Sequence, residues 1–268
     1  MATSLIQKKS VRLFVILSGF FIANAIIAEF IGVKIFSLEK TLGLDLANLS
    51  MFGNSNLNFN LTVGVLLWPV VFVMTDIINE YFGQKGVRLL SYLAVFLISY
   101  AFLMIYLGIN LVPPDFWPTS HISSLPVDQQ DVIRDKVSDF DYAYKLVFGQ
   151  GLWIIVGSIT AFLIGQILDV WVFHNIKKAT GEKMVWLRAT GSTLFSQFFD
   201  SYIVLVIAFY IGANWDLTMV LAIGTVGYIY KVTMAILLTP VIYLAHYLID
   251  NYLGEELSTK LKEEAARD

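Results

Sequence analysis

Apolar runs of about 20 residues recur six times along this chain, at about 11–35, 60–81, 88–110, 146–172, 188–212 and 217–248. A run of that length crosses the hydrocarbon core of a bilayer as an α-helix. A transmembrane β-barrel would instead alternate apolar and polar positions in short segments, and these runs do not. The pattern therefore predicts an all-α integral membrane protein with six transmembrane helices, forming one domain over 1–268. The first run is too long for a signal-peptide core and lacks a small-residue cleavage site, so it reads as a retained helix. The outer loops fall at 36–59 and 111–145, and a charged tail occupies 250–268. In the first loop FGNSN supplies turn residues and LNFNL alternates, which predicts a short β-hairpin over the mouth. In the second, 126–144 reads as an amphipathic surface helix or a solvated lid. Pro69 and Pro240 predict kinks.

Polar residues inside the runs are patterned. In the fifth, Ser192, Ser196 and Asp200 recur at every fourth position, and Thr193, Gln197 and Ser201 repeat the spacing one residue on. On a helix they form one stripe, backed by Leu194, Phe198, Leu205 and Phe209. A carboxylate at bilayer depth must face protein or water, so Asp200 marks either a functional site or a structural ion pair. Counting about 1.5 Å per residue sorts the other polar groups into two levels. Asn24, Gln197, Asp200 and Lys231 lie at mid-depth, with Gln166 somewhat below. Asp200 and Lys231 form the simplest central pair, because lone buried charges need partners. Asp76, Glu80, Asp169 and Arg188 lie nearer one face, as either a staple between helices or an inner gate. Glu29 either pairs with Lys34 or lines an entrance. Glycines at 157 and 165 permit close helix packing, and Gly83 and Gly86 make a tight turn.

Charge and composition set direction and limits. Twelve Lys and Arg residues flank one side and five the other, which predicts cytoplasmic termini, N-in and C-in. The chain is 57% apolar and 15% charged, against about a quarter charged in soluble domains. Its mean hydropathy is +0.70. There is no cysteine, which excludes disulfides, thiolate metal sites and cysteine nucleophiles. No cofactor or metal is expected: an inorganic ion would want more oxygen ligands and no lysine. An enzyme is not expected either. The chain has neither HExxH nor Gly-x-Ser-x-Gly, His121, His174 and His246 fall in loops or near a span end, and a Ser192/Lys231 dyad stands alone. A channel would want rings of charge from an oligomer. Amides beside carboxylates suit a planar heterocycle with several donors and acceptors, for which Phe195, Phe198, Phe199 and Trp68 offer a stacking wall. Membrane lipid is the expected surroundings and no nucleic-acid partner is expected. Small-residue faces and the featureless third span suggest a homodimer.

The run 69-PVVFVMTDIINEYFGQKGVR-88 resembles the P-x-x-F-x-x-x-D-x-x-x-E-x-Y/F-G signature of the bacterial queuosine-precursor transporters, the vitamin-uptake-like transporter family. The segments 165-GQILDVWVFHNIKK-178 and 188-RATGSTLFSQFFDSYIVLVIAF-209 are similar to its other two signatures. Asn24, Lys34 and Lys231 fall where that family's polar residues are expected. The resemblance implies import of 7-deazaguanines such as preQ0 and preQ1 across the inner membrane, without an ATPase. It also implies a layout like the six-helix substrate-binding subunits of energy-coupling-factor vitamin transporters. The alternative is a substrate-capture subunit that needs an external ATPase. On this reading Asp200 or a neighbouring carboxylate accepts the N1–H and 2-amino donors, and Gln197 and Asn24 read the other edge. Glu29 or Asp76 meets the aminomethyl cation, and Lys231 neutralises the empty pocket.

Overall fold

The computed structural model describes residues 2–149, 152–180 and 184–267, without the side chains of 2–7, 152, 185–186, 188–189 and 267. Helix α1 (Ala2–Ile31) leads into a small outer layer. This comprises β1 (Ile35–Ser37), α2 (Leu38–Leu42), β2 (Leu49–Met51), β3 (Asn54–Leu57) and β4 (Asn60–Thr62). A 3-10 turn at Val63–Leu66 opens the long helix α3 (Trp68–Ile109). Three short helices follow, α4 (Ser120–Ser123), α5 (Val127–Lys136) and α6 (Phe140–Phe148). The remainder is α7 (Leu152–Thr180), α8 (Val185–Leu205) with a π-helical continuation over Val206–Ile211, α9 (Leu217–Leu253) and α10 (Glu255–Arg267).

Five helical stretches among the described residues are long and apolar enough to cross a membrane: Lys8–Ile31, Val63–Ile109, Phe140–Thr180, Thr190–Ile211 and Leu217–Leu253. The second and third predicted spans share one of them. Its 47 residues would reach about 70 Å at 1.5 Å per residue, roughly twice the ~30 Å of a hydrocarbon core. The stretch is broken at Gly83, whose φ of 68° and ψ of −174° lie outside the helical region. That conformation is open essentially to glycine alone, so the predicted turn is reduced to one residue.

Pro69 does not kink a helix. It sits in the first turn of α3, where its missing N–H leaves no bond unmade. Helix α9 runs through Pro240 uninterrupted. The predicted hairpin is β2–β3, turning at Phe52 and Gly53, both at positive φ as a type I′ turn requires. Its Leu49, Met51 and Leu57 pack on Ala222 and Val226 of α9. A second antiparallel pair, β1 with β4, lies beside it. The predicted surface helix over 126–144 is two helices, because the chain turns extended at Val137 and Asp139 restarts it as N-cap of α6. The tail is docked rather than frayed. Leu257 and Ala265 are buried, and Asp250 accepts from Ser258 at 2.5 Å, Tyr81 at 2.7 Å and Lys262 at 3.0 Å.

The interior joins α1, α3, α7, α9 and α10 around Phe21, Val71, Ile78, Tyr81, Leu90 and Phe162. Buried polar groups concentrate there too, while Phe96, Tyr100 and Leu103 of α3 stand on the outside. An apolar exterior over a polar interior is the arrangement lipid selects, and the chain is a multi-pass membrane protein.

Candidate functional site

Helix α8 carries the polar stripe inward. Ser192, Thr193, Ser196, Gln197 and Ser201 are all buried, and the helix spacing that aligns them faces α3 and α7. The opposite face is aromatic. Phe195 and Phe198 are 42% and 44% exposed, so they do not form the stacking wall the sequence suggested. Close approach of α7 makes the stripe accessible to its partners. A Cβ at Gly157 would sit 2.9 Å from the Val204 carbonyl, and Gly165 faces the Asp200 side chain.

Asp200 is paired with Lys231 of α9, and their side chains are 16% and 10% exposed. The pair borders a cavity of about 470 Å³, within the range of small-molecule sites. Helix α1 contributes Glu29, β4 contributes Asn60 and Thr62, and α7 contributes Ser158. Trp68 and Phe209 are its aromatic walls, and Gly224 and Gly227 of α9 line it above Lys231. Ser158 donates to Glu29. Ser201 also lines the cavity, and its buried hydroxyl has no hydrogen-bond partner among the described residues. The mouth lies at the end bearing β1 and β4.

Lys231 also lines a second space, of about 20 Å³, enough for one water. Asp76, Thr193 and Gln197 border it. Asp76 accepts from Thr193 at 3.3 Å and Ser192 at 3.5 Å. Asp169 accepts from Ser196 at 3.2 Å. The two carboxylates are thus tied to α8 by hydroxyls. One turn further along α3, Glu80 forms a buried ion pair with Lys177 at 3.3 Å. The bundle is therefore wide at one end of Lys231 and narrow at the other.

Of the residues singled out from sequence, Glu29, Asp200 and Lys231 meet in the cavity. Asn24 does not: it is buried and donates to the Phe20 carbonyl of its own helix at 2.8 Å. Gln166 lies deeper and accepts from Thr75 at 3.1 Å. Gln197 lies beyond Lys231, on the narrow side, and its amide nitrogen has no hydrogen-bond partner among the described residues. Asp76 and Asp169 both accept from the hydroxyl stripe of α8. Glu80 instead meets Lys177, which charge counting assigned to a loop, while the Arg188 side chain lies outside the described residues. His174 is another correction. It is buried in α7 and hydrogen-bonded to Asn79 at 2.9 Å. Both were legible only from the length of α7, which runs on to Thr180. Ser158 stands at helical spacing from Phe162 and Gln166, a pattern visible in the sequence. Asn60 and Thr62 carried no sequence signal, because their place depends on β4 pairing with β1.

The family described as "Putative vitamin uptake transporter" matches residues 62–245. That range includes Asp76, Asp169, Asp200 and Lys231 but not Asn24 or Glu29. The chain is 29% identical over 192 residues to a "Probable queuosine precursor transporter" of Bacillus subtilis (strain 168), covering 71% of this chain and 73% of that protein. It is 27% identical over 195 residues to a protein of the same description in Haemophilus influenzae (strain ATCC 51907 / DSM 11121 / KW20 / Rd), covering 71% and 70%. It is also 27% identical over 217 residues to the "Queuosine precursor transporter" of Escherichia coli (strain K12), covering 77% and 80%. No solved structure matches the chain.

Proposed function

The chain belongs to the putative vitamin uptake transporter family, and from that premise we propose that it imports queuosine precursors across the bacterial inner membrane. The substrates are 7-deazaguanines such as preQ0 and preQ1, and transport proceeds without an ATPase of its own. The relatives described as queuosine precursor transporters support the substrate class. The observation that carries the reading is the cavity itself: about 470 Å³, bordered by two acidic side chains, one lysine and Ser201.

The chain crosses the membrane six times, with α3 supplying two crossings joined at Gly83. Both termini lie in the cytoplasm, so the hairpin end faces outward and this conformation receives substrate from outside. Glu29, held by Ser158, accepts the N1–H and 2-amino donors of the deazaguanine edge. The aminomethyl cation of preQ1 competes with the Lys231 ammonium for Asp200, so a bound substrate loosens the central ion pair. Lys231 borders the narrow space as well, so its displacement is felt by Asp76 and Thr193. Parting of the Asp76–Thr193 and Glu80–Lys177 contacts then opens the inner side. Lone buried charges are unfavourable, so each pair opens as another forms.

Purified protein in liposomes, given labelled preQ1 outside and no nucleotide, is expected to accumulate it. Binding of preQ1 without uptake would instead favour the substrate-capture subunit with an external ATPase. Neither binding nor uptake of any 7-deazaguanine would overturn the proposal.

A further inference from the structure

We infer that Gly227 sets the size limit of the cavity by keeping one face of α9 flat, so that a planar heteroaromatic base lies directly against the helix backbone. This rests on the reading that the cavity takes a 7-deazaguanine. Five glycines among the described residues border the same space. A Cβ at Gly64 would sit 2.5 Å from the Ala28 carbonyl oxygen, and one at Gly32 would sit 2.9 Å from that same atom. A Cβ at Gly149 would lie 2.4 Å from the Lys145 carbonyl, and one at Gly224 would lie 2.9 Å from the Tyr202 ring. These four are small because protein packs against them. Gly227 differs: a Cβ there would meet nothing within 4 Å.

Neither backbone conformation nor helix stability explains the missing side chain. Gly227 lies in the middle of α9 with no positive φ, and a helix-interior glycine is less favourable than alanine. Room for lysine does not explain it either. Lys231 is one turn further on, and side chains lean toward the helix N-terminus, so its stem could have lain across position 227. It does not come within 4 Å of that Cβ position. The open space beside Gly227 is the cavity, with Trp68 and Phe209 on other walls. A flat ring placed there has an edge free to reach Asp200, and every added carbon on residue 227 takes volume from it.

The test uses full-length protein in detergent and three variants, Gly227→Ala, Gly227→Leu and Gly227→Cys. The apo melting temperature of Gly227→Ala is expected at or above that of the wild type. Its affinity for preQ1 should fall about tenfold, as for one misplaced methyl group in a fitted pocket, and Gly227→Leu should not bind. The chain has no cysteine, so Gly227→Cys is a unique label site. It should react with a water-soluble methanethiosulfonate and be protected by preQ1, which holds even if the leucine variant fails to fold. Wild-type affinity in Gly227→Leu, or labelling of Gly227→Cys that saturating preQ1 leaves unchanged, overturns this inference alone. Failure of the wild type to bind any 7-deazaguanine overturns the transport reading and this inference with it.

Discussion

Replacing Asp200 by Asn would leave the Lys231 ammonium without its carboxylate in a site where both side chains are mostly buried. Breaking one half of a buried pair is expected to destabilise by about 3 kcal/mol, the lower end of the range because the pair borders the cavity. The double variant Asp200→Asn/Lys231→Met should recover much of that loss, since no charge is then stranded, while preQ1 uptake stays absent. Thermal unfolding in detergent and liposome uptake read the two effects separately. A double variant as unstable as the single one would contradict the pairing argument. The pair was visible in the sequence because two lone charges of opposite sign at one depth have little choice of partner. Asn24, Gln166 and Gln197 were not assignable in the same way. An amide can bond its own helix or a neighbour's hydroxyl, as Asn24 does to Phe20 and Gln166 to Thr75. Spacing fixes a residue's height and azimuth, not which of those bonds it makes.

At the level of elements, Gly83 is the position where one glycine separates two helices. Gly83→Ala forces a side chain into a conformation open only to glycine and is expected to cost about 1–3 kcal/mol. A thermal midpoint unchanged by that substitution would argue against the break. The outer layer has its own latch. The Glu39 carboxylate accepts from the Phe59 N–H at 2.7 Å and from Ser37 at 3.1 Å. Burial pushes its pKa up, but hydrogen bonds from the Phe59 backbone, its own backbone, Ser37 and Ala47 outweigh this and hold it below the ordinary 4.5. With the folded value depressed, the latch stabilises β1–β4 fully above about pH 4.5 and is lost as pH falls through the lower folded value. Once the intrinsic pH dependence of exchange is divided out, the protection of amides in residues 35–62 should fall on acidification, and Glu39→Gln should show the low protection at every pH. Long apolar helices were legible from hydropathy, although the second and third predicted runs share one helical stretch and α7 continues to Thr180, past the predicted end of the fourth. The division of 126–144 into α5 and α6, and the docking of α10, were not. The first turns on one extended residue, Val137, and the second on a partner far along the chain, Tyr81.

For the whole molecule, the wide cavity and the one-water gap on either side of Lys231 describe a conformation open at one end. Its closure at the other end relies on α3, α7 and α8 meeting through Asp76, Asp169 and the Glu80–Lys177 pair. Lys177→Gln lies far from the cavity lining. It should leave preQ1 affinity unchanged while altering the uptake rate, which comparison of binding and liposome transport would reveal. The most direct test of the account is uptake of labelled preQ1 into liposomes without nucleotide, comparing wild type with Asp200→Asn. The account predicts accumulation by the wild type and none above empty liposomes by the variant. Uptake by Asp200→Asn at the wild-type rate would contradict it.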